Sequence, residues 1–284
     1  MNNTHDGIRP GLVSVSLREL SPETIIQLCP KAGIQGIEWG GDLHVPHGAI
    51  KTASHVANLM RDAGLCTVSY GSYYRCGAED DDRLDFDDVL ETAIALNAPA
   101  IRVWLGTAGS KQTPPEQRQR ALDDLSRIAK KATAENILIC AEKHADTLTD
   151  ADDSVADILN RVTDQNFRML WQPTNGACLT ENLITLDLCL PSLAYLHVFH
   201  WWPDHHHRLP LADGEKRWMK YLKRSAHAAQ WAMLEFFQHD SVDQFLADAQ
   251  TLRQWLNLIA APSVQPAFKW KTSIGIHERN HATA

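Results

Sequence analysis

The stretch Ile137-Leu138-Ile139-Cys140-Ala141-Glu142-Lys143-His144-Ala145-Asp146-Thr147-Leu148-Thr149-Asp150 decides how this chain is read. An apolar run of β-type residues, 137–141, stops at Glu142-Lys143-His144, and a polar, cap-rich segment leads to the next helix. In a barrel of alternating strands and helices, the C-terminal tip of a strand is where chemistry is placed. A carboxylate there has an apolar wall behind it and open space in front. Alone, such a residue reads equally well as a solvated Glu ending a strand. Comparable strand ends recur at Trp171-Gln172-Pro173, His197-Val198-Phe199-His200 and Leu234-Glu235-Phe236.

Outward from that stretch, strands are expected over 13–17, 36–40, 66–70, 100–105, 167–171, 193–200 and 231–237. Helical signals fall between them. Ser21 caps a helix with Pro22 at its first position, and Gly33 stops it. Pro114-Pro115 opens a long helix whose apolar residues Ala121, Leu122, Leu125, Ile128, Ala129 and Ala132 keep helical spacing. Further helices are expected over 85–96, 154–162, 181–190, 214–224 and 241–259. This alternation predicts an α/β chain with one (β/α)8 TIM barrel over 1–261. A short C-terminal extension, 262–284, packs outside it or is partly disordered. A doubly wound sheet is the rival fold, but Leu17-Arg18-Glu19-Leu20 after the first strand is no Gly-rich phosphate turn.

The 284 residues suffice for one such core, and 44% hydrophobic with 22% charged residues is ordinary for a soluble globular protein. A net charge of −8 argues against a nucleic-acid partner, since phosphate binding needs clustered Lys and Arg. The six cysteines show no CxxC spacing and read as reduced core thiols. No signal peptide and no run of transmembrane length is present, so a cytoplasmic protein without a membrane partner is expected.

Within a barrel, Glu142, Gln172, His197 and Glu235 end four consecutive strands, so their side chains converge on one side of the mouth. Two carboxylates, an amide oxygen and an imidazole suit a divalent cation. The oxygen-rich set favours Mn²⁺ or Mg²⁺, and the imidazole admits Co²⁺ or Zn²⁺. Paired carboxylates beside such an ion can move protons on opposite faces of a substrate.

Taken in order, Gly-Ile-Glu-Trp-Gly at 36–40, Ala-Glu-Lys-His at 141–144, Trp-Gln-Pro at 171–173, Leu-His-Val at 196–198 and Leu-Glu-Phe at 234–236 resemble the xylose isomerase-like barrel superfamily. That superfamily includes sugar and sugar-phosphate isomerases and epimerases, inosose dehydratase and the endonuclease IV barrel. The resemblance covers roughly 12–258. It implies that Glu142 and Glu235 both bind metal and act as acid and base, with His197 as a further ligand. Strand six departs from the pattern, because Gln172 stands where the family usually places Asp and contributes no charge. Either the metal site is less anionic, or His200 or another group completes the shell. Asn175 occupies the position of a substrate-binding His in the sugar epimerases.

Other groups expected near a substrate are His44 after strand two, Lys143, Arg208, and the strand-end rings Trp39 and Trp104 against which a sugar face can stack. His205-His206-His207 reads as a solvated loop, because consecutive residues do not face a common point. The expected activity is a metal-dependent isomerisation or epimerisation of a ketose or related carbohydrate, through an enediolate with Glu142 and Glu235 as acid and base. Alternatives are an inosose-type dehydratase on the same enediolate, or a sugar-binding barrel without catalysis, motivated by Gln172. The expected partner is a small carbohydrate, and self-association into a homo-oligomer is left open.

Overall fold

The computed structural model describes residues 7–79 and 84–260. Eight parallel strands close into a barrel in chain order: β1 Arg9–Val13, β2 Gly36–Gly40, β3 Cys66–Cys76, β4 Ala100–Leu105, β5 Leu138–Glu142, β6 Phe167–Trp171, β7 Leu193–Val198 and β8 Trp231–Leu234. Each is followed by a helix: α1 Pro22–Ala32, α2 Ile50–Asp62, α3 Phe86–Ala95, α4 Pro115–Ala134, α5 Asp152–Arg161, α6 Leu179–Cys189, α7 Glu215–Ser225 and α8 Val242–Ala260. The ring closes where Gly11 and Leu12 of β1 pair with Met233 and Leu234 of β8. None of the described helices is long and apolar enough to cross a membrane. The expected C-terminal extension, 262–284, lies outside the described residues.

Alternation along the strands sorts the core into two bodies. Val13, Val68, Ala100, Cys140, Leu170, Tyr195, Trp231 and Met233 fill the barrel interior. The alternate strand residues, such as Leu12, Ile37, Ile101, Val103, Ile139, Met169, Leu196 and Leu234, face outward into a larger layer beneath the helices. Helix ends follow the local chemistry: Ser21 accepts from the Thr24 amide at the start of α1, and Gly33 ends it at φ 69, a conformation that glycine adopts without strain.

One strand lies earlier than the expected 13–17. β1 occupies Arg9–Val13, and Ser14–Leu17 is a 3₁₀ turn. Pro10 and Gly11 disguise the strand, since both residues ordinarily weaken one. Here Gly11 leaves room for a neighbour, because a Cβ at that position would meet the Met233 thioether of β8 and make it shift. The turn then presents Ser14 and Ser16 to the barrel mouth, where they accept the backbone amides of Gly40 and Phe236.

Candidate active site

The inner face of the barrel changes character toward the C-terminal ends of the strands. Above the apolar floor, alternation brings Glu38 of β2, Arg102 of β4, Glu142 of β5, His197 of β7 and Glu235 just after β8 inward together. All five are buried, with Glu38 and His197 fully inaccessible and Arg102 3% exposed. His197 Nδ1 lies 3.4 Å from Glu142 Oε1 and 3.3 Å from Glu235 Oε1, and its Nε2 lies 3.6 Å from Glu38 Oε2.

Arg102 bridges two of the carboxylates. Its Nε donates to Glu38 Oε1 at 2.9 Å, and its Nη1 donates to Glu142 Oε2. Glu142 Oε2 also accepts from Trp104 Nε1 at 2.6 Å. Beneath, Glu38 Oε2 accepts from Ser69 Oγ at 2.5 Å and from the Tyr195 hydroxyl at 2.8 Å. Burial alone would raise both carboxyl pKa values. The Arg102 charge, aided by His197, outweighs it, holding Glu38 at about 2 and Glu142 well below the carboxylate range. Burial likewise works against a charged His197, but the Glu235 and Glu38 carboxylates push its pKa well above the usual value.

Neither ring nitrogen of His197 has a hydrogen-bond partner, although both are fully buried. An unsatisfied imidazole nitrogen facing two carboxylate oxygens is a costly arrangement in an ordinary core and a natural one for a metal ligand. One ligand atom each from Glu142, His197 and Glu235 lies within 4.8 Å of the others, as donors around one cation require. The donor set therefore fits a divalent ion. Gln172 directly follows the last residue of β6, Trp171, and is half-buried.

The mouth above the cluster is shaped by aromatic residues. The pairing of β3 with β4 slips between Gly71 and Tyr74, and Tyr73 takes φ 56, an unusual conformation for a bulky residue. Its ring lies 4.8 Å from the Arg102 guanidinium and edge-on to Trp104 at 5.3 Å. Beside these rings opens a cleft of about 620 Å³ lined by Tyr73, Arg75, Trp104, Thr107, Gln117 and Arg120, large enough for a sugar-sized molecule.

Of the residues singled out from sequence, Glu142, His197, Glu235 and Trp104 meet at this cluster. Asn175 and His200 line a neighbouring crevice with Trp201 and Trp202, between the loops after β6 and β7. Arg208 pairs with Asp240 and lies 4.5 Å over the Phe236 ring, next to Glu235 in the chain. Three expectations are corrected. Trp39 is fully buried in the layer outside the barrel, because its neighbour Glu38 takes the inward place. His44 is a buried strut whose two ring nitrogens meet Ser14 Oγ at 3.0 Å and the Leu20 carbonyl at 3.2 Å. Lys143 follows the inward Glu142, turns the other way and donates to Thr174 Oγ1 at 2.6 Å, and burial lowers its pKa.

Sequence reading missed Glu38, Ser69, Arg102 and Tyr195. A charged residue in the middle of an otherwise apolar strand, as in Gly-Ile-Glu-Trp-Gly and Ala-Ile-Arg-Val-Trp-Leu, was the available signal.

A closed parallel barrel with a Glu–His–Glu cluster at the C-terminal strand ends defines a class, and the chain belongs to it: the model of the xylose isomerase-like TIM barrel family matches residues 26–258. Among curated proteins it is similar to the 3-dehydroshikimate dehydratase of Bacillus anthracis, at 23% identity over 272 residues, covering 85% of this chain and 95% of that protein. Among solved structures it is similar to the probable 3-DHS dehydratase AsbF of Bacillus anthracis, with a TM-score of 0.71, 18% identity and coverage of 87% and 99% of the two chains. It is also similar to the D-allulose 3-epimerase of Methylomonas sp., with a TM-score of 0.65, 14% identity and coverage of 88% and 99%. At these identities the structural likenesses speak for the fold.

Proposed function

We propose that this protein is a divalent-cation-dependent enzyme that removes a proton from the carbon beside the carbonyl of a small, polyhydroxylated compound. One observation carries the reading: the donor atoms of Glu142, His197 and Glu235 lie within 4.8 Å of one another at the barrel mouth. Glu142, His197 and Glu235, with the amide oxygen of Gln172, would hold Mn²⁺, Mg²⁺, Co²⁺ or Zn²⁺. The ion, when bound, supplies Lewis acidity that polarises the substrate carbonyl.

The protein's own groups do the rest. The Glu235 carboxylate receives the proton, Arg102 and Trp104 hold Glu142 in place, and Tyr73 and Trp104 wall the substrate from water. Asn175, His200 and Arg208 would contact the substrate from the loops after β6 and β7.

Two outcomes share the first step. Return of the proton to the opposite face epimerises and needs a second proton carrier, and Glu142 and Glu235 flanking His197 Nδ1 support that reading; return to the neighbouring carbon isomerises and needs only one carrier. Expulsion of a β-hydroxyl dehydrates and needs only one carrier, and the name of the curated relative supports that one. The setting that fits either is a cytoplasmic enzyme of small-molecule metabolism.

The test incubates the Mn²⁺-loaded protein in D₂O with a ketose panel and with 3-dehydroshikimate. The expected result is deuterium at the carbon beside the carbonyl, or loss of one water by mass, with Glu235→Gln reducing either by at least about a hundredfold. Neither change on any probe would mean a barrel that binds without catalysing.

A further inference from the structure

We infer that Arg102 is a positioning residue that makes the two glutamates unequal: it ties up one oxygen of Glu142, so that Glu142 serves as a fixed, single-oxygen ligand and Glu235 remains the one mobile proton carrier. The inference rests on the function proposed above and refines it.

The geometry is asymmetric. Glu142 Oε2 is taken by two donors, Arg102 Nη1 and Trp104 Nε1, which leaves Oε1 as the oxygen facing His197 Nδ1. Arg102 cannot easily swing away, because its Nε is held by Glu38 and its guanidinium lies under the Tyr73 ring. Glu38 in turn is fixed by Ser69 and Tyr195. The chain Tyr195–Glu38–Arg102–Glu142 thus runs across the barrel interior and ends on one carboxylate oxygen. No such chain reaches Glu235, whose carboxylate carries no hydrogen bond among the described residues and meets only His197 Nδ1 at 3.3 Å.

A planar guanidinium can hold two carboxylates at once, whereas an ammonium is a single point of charge. The clamp therefore depends on Arg itself and not only on its charge. A carboxylate tied in this way holds a cation in place but is poorly suited to accept and release protons. Chemistry with one proton carrier follows, which disfavours epimerisation and accommodates elimination of water: the carbon–hydrogen bond breaks to Glu235, its electron pair forms the new double bond, the β carbon–oxygen bond breaks as its pair leaves with the hydroxyl, and the proton on Glu235 completes the departing water.

The test uses Mn²⁺ alone as probe. A crystal structure of the Mn²⁺-loaded protein should show one Glu142 oxygen on the ion and the other still on Arg102 and Trp104. The double variant Glu38→Gln/Arg102→Met removes both members of one buried pair and leaves the net charge unchanged, and Glu142 then keeps His197 and the bound ion as its charge partners. In it Glu142 should turn its second oxygen to the ion, and calorimetry should show Mn²⁺ binding about tenfold tighter. Arg102→Lys should reproduce part of that gain, because Lys keeps the charge but loses the fork. Glu142 gripping the ion with both oxygens in the unaltered protein, or Mn²⁺ affinity in the double variant within about twofold of it, would overturn the inference while leaving the metal site standing. Failure of the unaltered protein to bind Mn²⁺ at all would overturn the proposed function along with it.

Discussion

Glu38 and Arg102 are each costly inside a barrel and acceptable together, because each satisfies the other's charge and their remaining donors and acceptors are also used. Gln172 poses the complementary question, since it offers an oxygen without a charge. Gln172→Asp should tighten Mn²⁺ binding by at least about tenfold, measured by calorimetry, since a charged ligand holds an ion far more strongly than an amide dipole does in a partly desolvated site. Unchanged affinity would mean that Gln172 does not touch the ion. At this scale the sequence was readable where a polar residue ends an apolar run, as at Glu142 and Glu235, while His197, inside β7, was picked out by the family resemblance. It was opaque where the polar residue sits within the run. Glu38 was quoted from sequence only as part of Gly-Ile-Glu-Trp-Gly, and only the register of β2 in the closed ring shows that it, and not Trp39, faces inward.

The elements were legible wherever caps and periodicity agreed, as with α1 between Ser21 and Gly33 and with the apolar stripe of α4. β1 was not, because Pro10 and Gly11 ordinarily weaken a strand, and Gly11 instead gives room to Met233 of β8. The same pressure acts in β2. A Cβ at Gly36 would come within 2.6 Å of Val68 Cγ2 and 2.7 Å of the Trp231 ring. Gly36→Ala should therefore destabilise the protein by about 1–3 kcal/mol, seen as a lower midpoint in urea with an unchanged slope. A midpoint equal to that of the parent would show that the barrel floor can yield.

For the whole molecule, the fold class followed from the alternation alone, while the polar tier inside the barrel did not, because it depends on strands far apart in sequence. Acid should find that tier first. The Glu38 carboxyl, lowered from 4.5 to about 2, adds stability that is fully present above pH 4.5 and is lost as the pH falls toward 2. Melting temperatures of the metal-free protein should fall over that window, and Glu38→Gln should flatten the fall; a parallel fall in the variant would place the acid sensitivity elsewhere. Thiol reagents give a second global readout, since Cys66 and Cys178 are exposed and Cys29, Cys76, Cys140 and Cys189 are buried. Two thiols should react quickly in the native state, and the other four only on unfolding. The Tyr195–Glu38 hydrogen bond spans 157 positions of the chain, whereas Glu235 approaches His197 from the directly paired neighbouring strand, β8. The metal donors come from β5, β7 and the end of β8, while the clamp on Glu142 reaches back through Arg102 and Glu38 to β4 and β2, so Mn²⁺ affinity during refolding would time the assembly of the ring's second half and would lag behind the appearance of helices.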